Sequence, residues 1–246
     1  MIDAAARPAR AHDLQIAGLV PLSSVDWPGR LVATVFCQGC PWDCGYCHNP
    51  GLRDCDAPGV VEWAEVEALL ARRSGLLDGV VFTGGEATRQ DALAPAMRRV
   101  RELGFAVGLH TGGAYPRRLA ELLPLVDWVG LDIKALPEDY DGVVGSAVGG
   151  ARAWDSLELL IGAGVDHEVR LTVHPGSPQA ATAVEVAWRL RAAGVRAFAL
   201  QDARTEGTSP EFRAEARAWD VAAWRARLAA LTHEIGAIGF PSFVAR

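Results

Sequence analysis

Cys40, Cys44 and Cys47 stand in C-x3-C-x2-C spacing within one short stretch, Cys40-Pro41-Trp42-Asp43-Cys44-Gly45-Tyr46-Cys47. Three thiolates this close can each hold one iron of a [4Fe–4S] cluster and leave the fourth iron open to another molecule. Cys37 places a further thiol upstream, so the stretch also contains two C-x2-C pairs, the pattern of a structural zinc site. Zinc pairs normally stand about a dozen residues or more apart, which lets two knuckles face each other. Only Pro41, Trp42 and Asp43 intervene here, and the spacing favours the cluster. Cys37 then reads as a small buried hydrophobe at a strand end, and Cys55 as a free loop thiol.

More chemistry sits at the ends of apolar runs. Val80-Val81-Phe82-Thr83 leads into Gly84-Gly85-Glu86, where paired glycines let the backbone approach a ligand and Glu86 can offset an ammonium. Taken alone, the motif is equally an ordinary strand-to-helix turn with a carboxylate at the helix N-terminus. Asp132 and Lys134 lie two apart in an extended run and share a face; their plainer reading is an ion pair with no ligand. Lys134 is the only lysine among 24 basic residues, so a compact ammonium is expected where it sits instead of a planar fork. His110-Thr111, Arg170 and His174 close other runs and point to the same space, although His174 reads equally as a structural histidine.

Short apolar strands, expected near 31–37, 79–83, 105–110, 126–134, 167–174 and 195–201, must carry these groups. Helices are expected between them near 62–73, 89–103, 114–123, 153–163 and 179–193. A last one near 219–234 has Val221, Trp224, Leu228 and Leu231 at helical spacing. Strand alternating with helix implies right-handed crossovers and a parallel sheet. In 167–174, Val169, Leu171 and Val173 alternate with Glu168, Arg170, Thr172 and His174; in 105–110, Phe105, Val107 and Leu109 face out while Ala106, Gly108 and His110 face in. A doubly wound sheet wants both faces apolar, whereas these strands would line a polar lumen. The expected fold is therefore α/β, a partial (β/α)6 barrel with parallel strands over 31–246, with residues 1–30 as an N-terminal cover segment of the same domain. Trp42, Trp128, Trp154, Trp188 and Trp224 are expected to serve core or rim packing.

Composition narrows the function classes. Half of the 246 residues are apolar, enough for one large core, and a net charge of −6 without a basic block argues against nucleic acid as the main partner. No apolar run approaches the ~18 residues of a membrane helix, and no signal-peptide pattern is evident, so a cytoplasmic protein is expected. A reducing compartment disfavours a disulfide framework.

The three-cysteine motif, Tyr46 before the last cysteine and the Thr83-Gly84-Gly85-Glu86 turn resemble the radical S-adenosylmethionine (SAM) superfamily, whose members use a partial (β/α)6 barrel. The resemblance implies that Cys40, Cys44 and Cys47 hold the cluster, that Gly84, Gly85 and Glu86 meet the methionyl amino group, and that Tyr46 lies near the adenine. Asp132 would take the ribose hydroxyls and Lys134 the SAM carboxylate, with His110, Thr111, Arg170 and His174 in the same cofactor space. A narrower resemblance runs from about residue 19 to 201. It rests on Gly18-Leu19-Val20-Pro21-Leu22, Asp26-Trp27-Pro28-Gly29, Tyr46-Cys47-His48-Asn49-Pro50, Leu109-His110-Thr111, 127–134 and Thr172-Val173-His174-Pro175, and includes the chain's only asparagine. This pattern is similar to the anaerobic ribonucleoside-triphosphate reductase activating protein family, a group of glycyl-radical-enzyme activases. Cys37, Ala87 and Gly112 depart from it, standing where an aliphatic residue, proline and asparagine are common.

That resemblance implies reductive cleavage of SAM to methionine and a 5′-deoxyadenosyl radical, which takes a hydrogen from a glycine Cα of a large partner enzyme. An external one-electron reductant such as flavodoxin or ferredoxin would supply the electron. Two rivals stand beside it. One is a radical SAM enzyme rearranging a small heterocycle, and the other a non-catalytic iron–sulfur electron carrier, whose expected mark, loss of Glu86, Asp132 or Lys134, is not seen.

Overall fold

A computed structural model of the chain describes residues 7–246; the first six residues of the expected cover segment lie outside the described part. The strands are Ile16–Ser23 (β1), Val32–Cys37 (β2), Gly79–Gly84 (β3), Ala106–Thr111 (β4), Trp128–Asp132 (β5), Asp166–Val173 (β6), Ala197–Asp202 (β7) and Ser242–Ala245 (β8). They form one eight-stranded sheet in chain order. β1 runs antiparallel to β2, and every later pair is parallel. Sequential parallel order with crossovers of one hand curls a sheet toward a barrel. No pairing joins β8 to β1 among the described residues, so the barrel is open on one side. β2 to β7 are the six expected strands. β8 lies outside the expected strands, because its four residues are largely exposed and carry no periodic signal.

The helices are Trp63–Arg72 (α1), Leu93–Glu102 (α2), Pro116–Leu122 (α3), Tyr140–Val144 (α4), Gly149–Ala163 (α5), Gln179–Ala192 (α6), Pro210–Ala216 (α7) and Val221–Gly236 (α8). α1 buries Trp63, Val66, Leu69 and Leu70 at helical spacing, and Glu65 closes a capping box on the Glu62 backbone. Asp220 caps α8 by accepting from Ala222 N and Ala223 N. The buried stripe of α8 is Trp224, Leu231 and Ile235; Val221, expected on that stripe, is exposed in the first turn. α4 and α7, at five and seven residues, are too short to show a helical period in the sequence.

The two faces of the strands divide as their alternation requires. Val107, Leu109, Val169, Leu171 and Val173 pack outward in the large core beneath the helices. Inside the barrel, Trp27 stacks on Trp128 with ring centroids 5.6 Å apart, and Val32 and Val81 complete a small apolar floor. Gly108 faces in as expected, and the room it leaves is taken by Trp27: a Cβ there would lie 2.9 Å from the indole. Trp188, expected to pack in the core or at its rim, is exposed on α6.

Candidate active site

Above that floor lies a cavity of about 390 Å³, at the end of the barrel where the parallel strands terminate. Cys40, Cys44, Cys47, Tyr46, Gly84, Gly85, Glu86, His110, Thr111, Asp132, Lys134 and Arg170 all line it. His174 does not. Its ring stands behind Tyr46 at 5.7 Å, stacked on Trp219 and edge-on to Phe212. Burial lowers its basicity, and among the described residues its Nδ1 has no hydrogen-bond partner.

The cysteine loop leaves β2 and is stitched to the turn after β3. Gly85 N donates to Cys37 O at 2.9 Å and Glu86 N to Gly39 O at 2.8 Å. Gly84 adopts φ +114°, and a Cβ on Gly85 would overlap the Gly39 carbonyl oxygen. The close approach that the glycines permit is thus first of all to the cysteine loop itself. Cys37 is fully buried, in keeping with a hydrophobic filler, and Cys55 is half-buried with Sγ 3.6 Å from Cys40 O.

Glu86 is buried, and burial raises its pKa against four donors that favour the carboxylate. Oε1 accepts from Thr88 N, Thr88 Oγ1 at 2.5 Å and Thr111 Oγ1 at 2.7 Å, while among the described residues Oε2 accepts only from Gly112 N at 2.9 Å. The turn-and-cap reading of Glu86 is therefore real, and Oε2 still has acceptor capacity for a cavity ammonium. Across the cavity, Lys134 Nζ lies 3.4 Å from Asp132 Oδ2 and 5.7 Å from the centre of the Tyr46 ring. Burial opposes the charge on Lys134, but the acidic groups around it, Tyr46 and Asp132 foremost, outweigh burial and hold its pKa well above the ordinary value. Burial likewise opposes ionisation of Asp132, and the cations of Lys134 and Arg170 outweigh it to hold its pKa below the usual value.

His110 Nε2 approaches the Asp26 carbonyl at 2.6 Å and Arg170 Nη2 at 3.1 Å. One nitrogen cannot donate to the first and accept from the second, so the shorter contact assigns the proton to Nε2. Burial, reinforced by Arg170, lowers the His110 pKa to about 4 and keeps the ring neutral. Arg170 also donates to Glu168 at 2.9 Å, and Arg246 meets the same carboxylate at 2.6 Å.

The donor set fits a cluster. Three thiols face one cavity, and a cubane asks each thiolate to meet its own iron; among the described residues no three donor side chains converge on a single ion. Burial pushes the Cys40 thiol up to about 12 and raises Cys44 as well, so metal loading must displace these protons. The cavity also contains residues beyond the expected set. Asp26 comes with the Asp26-Trp27-Pro28-Gly29 motif, Trp42 is of a type that predicts only packing, and Arg204 and Arg246 come from stretches with no motif at all.

Residues 34–182 match the Radical SAM superfamily pattern, well over half of the chain. The chain belongs to the radical SAM superfamily. The cofactors of this superfamily are a [4Fe–4S] cluster and SAM. The chain is 31% identical over 173 residues to a pyruvate formate-lyase-activating enzyme of Clostridium pasteurianum, covering 68% of this chain and 69% of that one. It is 34% identical over 131 residues to a Methanocaldococcus jannaschii protein named for glycyl-radical enzyme activation, covering 51% of this chain and about half, 52%, of that relative. Within the superfamily it therefore falls with the activating enzymes. A radical SAM methyltransferase from Sphaerobacter thermophilus shares the fold, with a TM-score of 0.64, 17% identity, and 89% of this chain and 67% of that one covered.

Proposed function

We propose that this radical SAM protein activates a glycyl radical enzyme, with an anaerobic ribonucleotide reductase-like partner as the finer assignment. In this reading Cys40, Cys44 and Cys47 hold the cluster, Glu86 Oε2 takes the methionyl ammonium, and Lys134 takes the SAM carboxylate. Asp132 and the acceptor nitrogen of His110 serve the ribose side, Thr111 braces Glu86, and Tyr46 borders the adenine. The Asp26 carbonyl orients His110, Arg170 lies beside the ring with its cation paired to Glu168, and His174 backs Tyr46 from outside the cavity. When bound, the cluster and SAM would supply one-electron reductive chemistry for hydrogen abstraction from a glycine Cα. The protein's share is to orient SAM against the thiolate loop and to keep water out of the cavity.

The observation that carries this reading is the meeting of Cys40, Cys44 and Cys47 with Glu86 and Lys134 around one cavity of a parallel barrel. No helix among the described residues is long and apolar enough to cross a membrane, and we place the protein in the cytoplasm with a flavodoxin- or ferredoxin-type reductant. The test is anaerobic cluster reconstitution, reduction with SAM present, and assay of 5′-deoxyadenosine and of the partner's glycyl radical by electron paramagnetic resonance. Radical on an anaerobic reductase supports the finer assignment. SAM cleavage with no radical on any glycyl radical enzyme would move the substrate to a small heterocycle, a size the cavity also admits. No cleavage under any condition leaves the electron-carrier reading.

A further inference from the structure

Gly112, where asparagine is common in the pattern the sequence resembles, has a physical cause in this chain. A Cβ on Gly112 would overlap Cζ3 of Trp42, with Cε3 at 3.0 Å and Cη2 at 3.3 Å. The indole of Trp42, 5% exposed, therefore rests on bare backbone just beyond β4. The same indole meets the Tyr140 ring edge-on at 5.8 Å. Both neighbours lead to the cofactor groups. Gly112 N donates to Glu86 Oε2 at 2.9 Å, and Tyr140 Oη accepts from Lys134 N at 2.9 Å. Trp42 itself lies midway between Cys40 and Cys44 in the sequence, and the next residue, Asp43, donates its N–H to Val144 O of α4 at 2.9 Å.

We propose that Trp42 and Gly112 are a size-matched positioning pair. One rigid ring braces the thiolate loop against both the Glu86 side and the Lys134 side of the cavity, and so sets the loop's height relative to the two groups that clamp the amino-acid end of SAM. The inference rests on the assignment of Cys40, Cys44, Glu86 and Lys134 given above. Gly112 is the partner that makes room for the ring; the ring is the part that does the positioning.

The experiment compares wild type, Trp42→Phe, Gly112→Ala and the double variant, each anaerobically reconstituted. Iron per chain, SAM dissociation constant by equilibrium dialysis, and the SAM-induced change in the resonance spectrum of the reduced cluster are measured. Gly112→Ala should load iron as wild type does yet weaken SAM binding about tenfold, and Trp42→Phe alone should weaken it about fivefold. Phenylalanine lacks the benzo ring that contains Cζ3, so the double variant should bind SAM within about threefold of wild type and recover its spectral change. Losses that simply add, or single variants within about twofold of wild type, overturn the pairing. If Gly112→Ala fails to hold iron, Trp42→Phe decides: full iron with unchanged SAM affinity overturns the proposal. A wild-type chain that loads iron but binds no SAM would overturn the underlying site assignment, and the pair with it.

Discussion

Lys134 is the chain's only lysine, and its ammonium is held between the Asp132 carboxylate and the face of Tyr46 in a space that is 14% exposed. A guanidinium keeps the charge but spreads it over a planar fork that needs more room. Lys134→Arg should therefore weaken SAM binding about tenfold with normal iron loading, measured by dialysis; unchanged affinity would reduce the lone lysine to an accident of composition. His110 makes a prediction in pH. Its ordinary value of 6.5 is lowered to about 4, so between these values the unfolded chain binds the proton that the native ring refuses. Stability should fall as pH drops from 6.5 toward 4, with this residue contributing on the order of 3 kcal/mol across the window. Urea melts of His110→Gln should show a flatter slope there than wild type.

The turn after β3 is where an element decides the site. Gly85 and Glu86 carry the hydrogen bonds that fasten the cysteine loop, and Gly85 has the Gly39 carbonyl where a side chain would go, with Leu52 O at 2.8 Å. Gly85→Ala should push the loop off the sheet, cutting iron retention after reconstitution severalfold and costing about 1–3 kcal/mol in urea melts. Retention at the wild-type level would show that the loop is held elsewhere. The Gly-Gly-Glu motif was legible because glycines after an apolar run are a strong local signal. Its reason was not legible, since Cys37 and Gly39 lie more than forty positions away in the chain.

At the scale of the molecule, the barrel is sealed from inside by a residue that belongs to no regular element. Trp27, on the connection between β1 and β2, is 7% exposed and fills the lumen between Gly108 and Trp128. Trp27→Ala should leave a cavity under the site and cost about 3–5 kcal/mol, read by denaturant melts of the cofactor-free chain. A melt within about 1 kcal/mol of wild type would mean that the lumen collapses around the gap.

Local pattern carried much of this protein in its sequence. The cysteine spacing named the cluster, period-two alternation in 105–110 and 167–174 named a polar lumen, and strand alternating with helix named parallel crossovers. These signals are local because ligand spacing and side-chain direction are set within a few residues of backbone. Only the tertiary structure could seat His174 behind Tyr46 instead of in the cavity, fill the room beside Gly108 with Trp27, and bring Arg204 and Arg246 to the wall. Each depends on which distant segment reaches a given space first, and close packing lets only one side chain occupy it. Trp42 and Gly112 show the same division: each was visible alone, and their fit exists only where the folded chain presses one against the other.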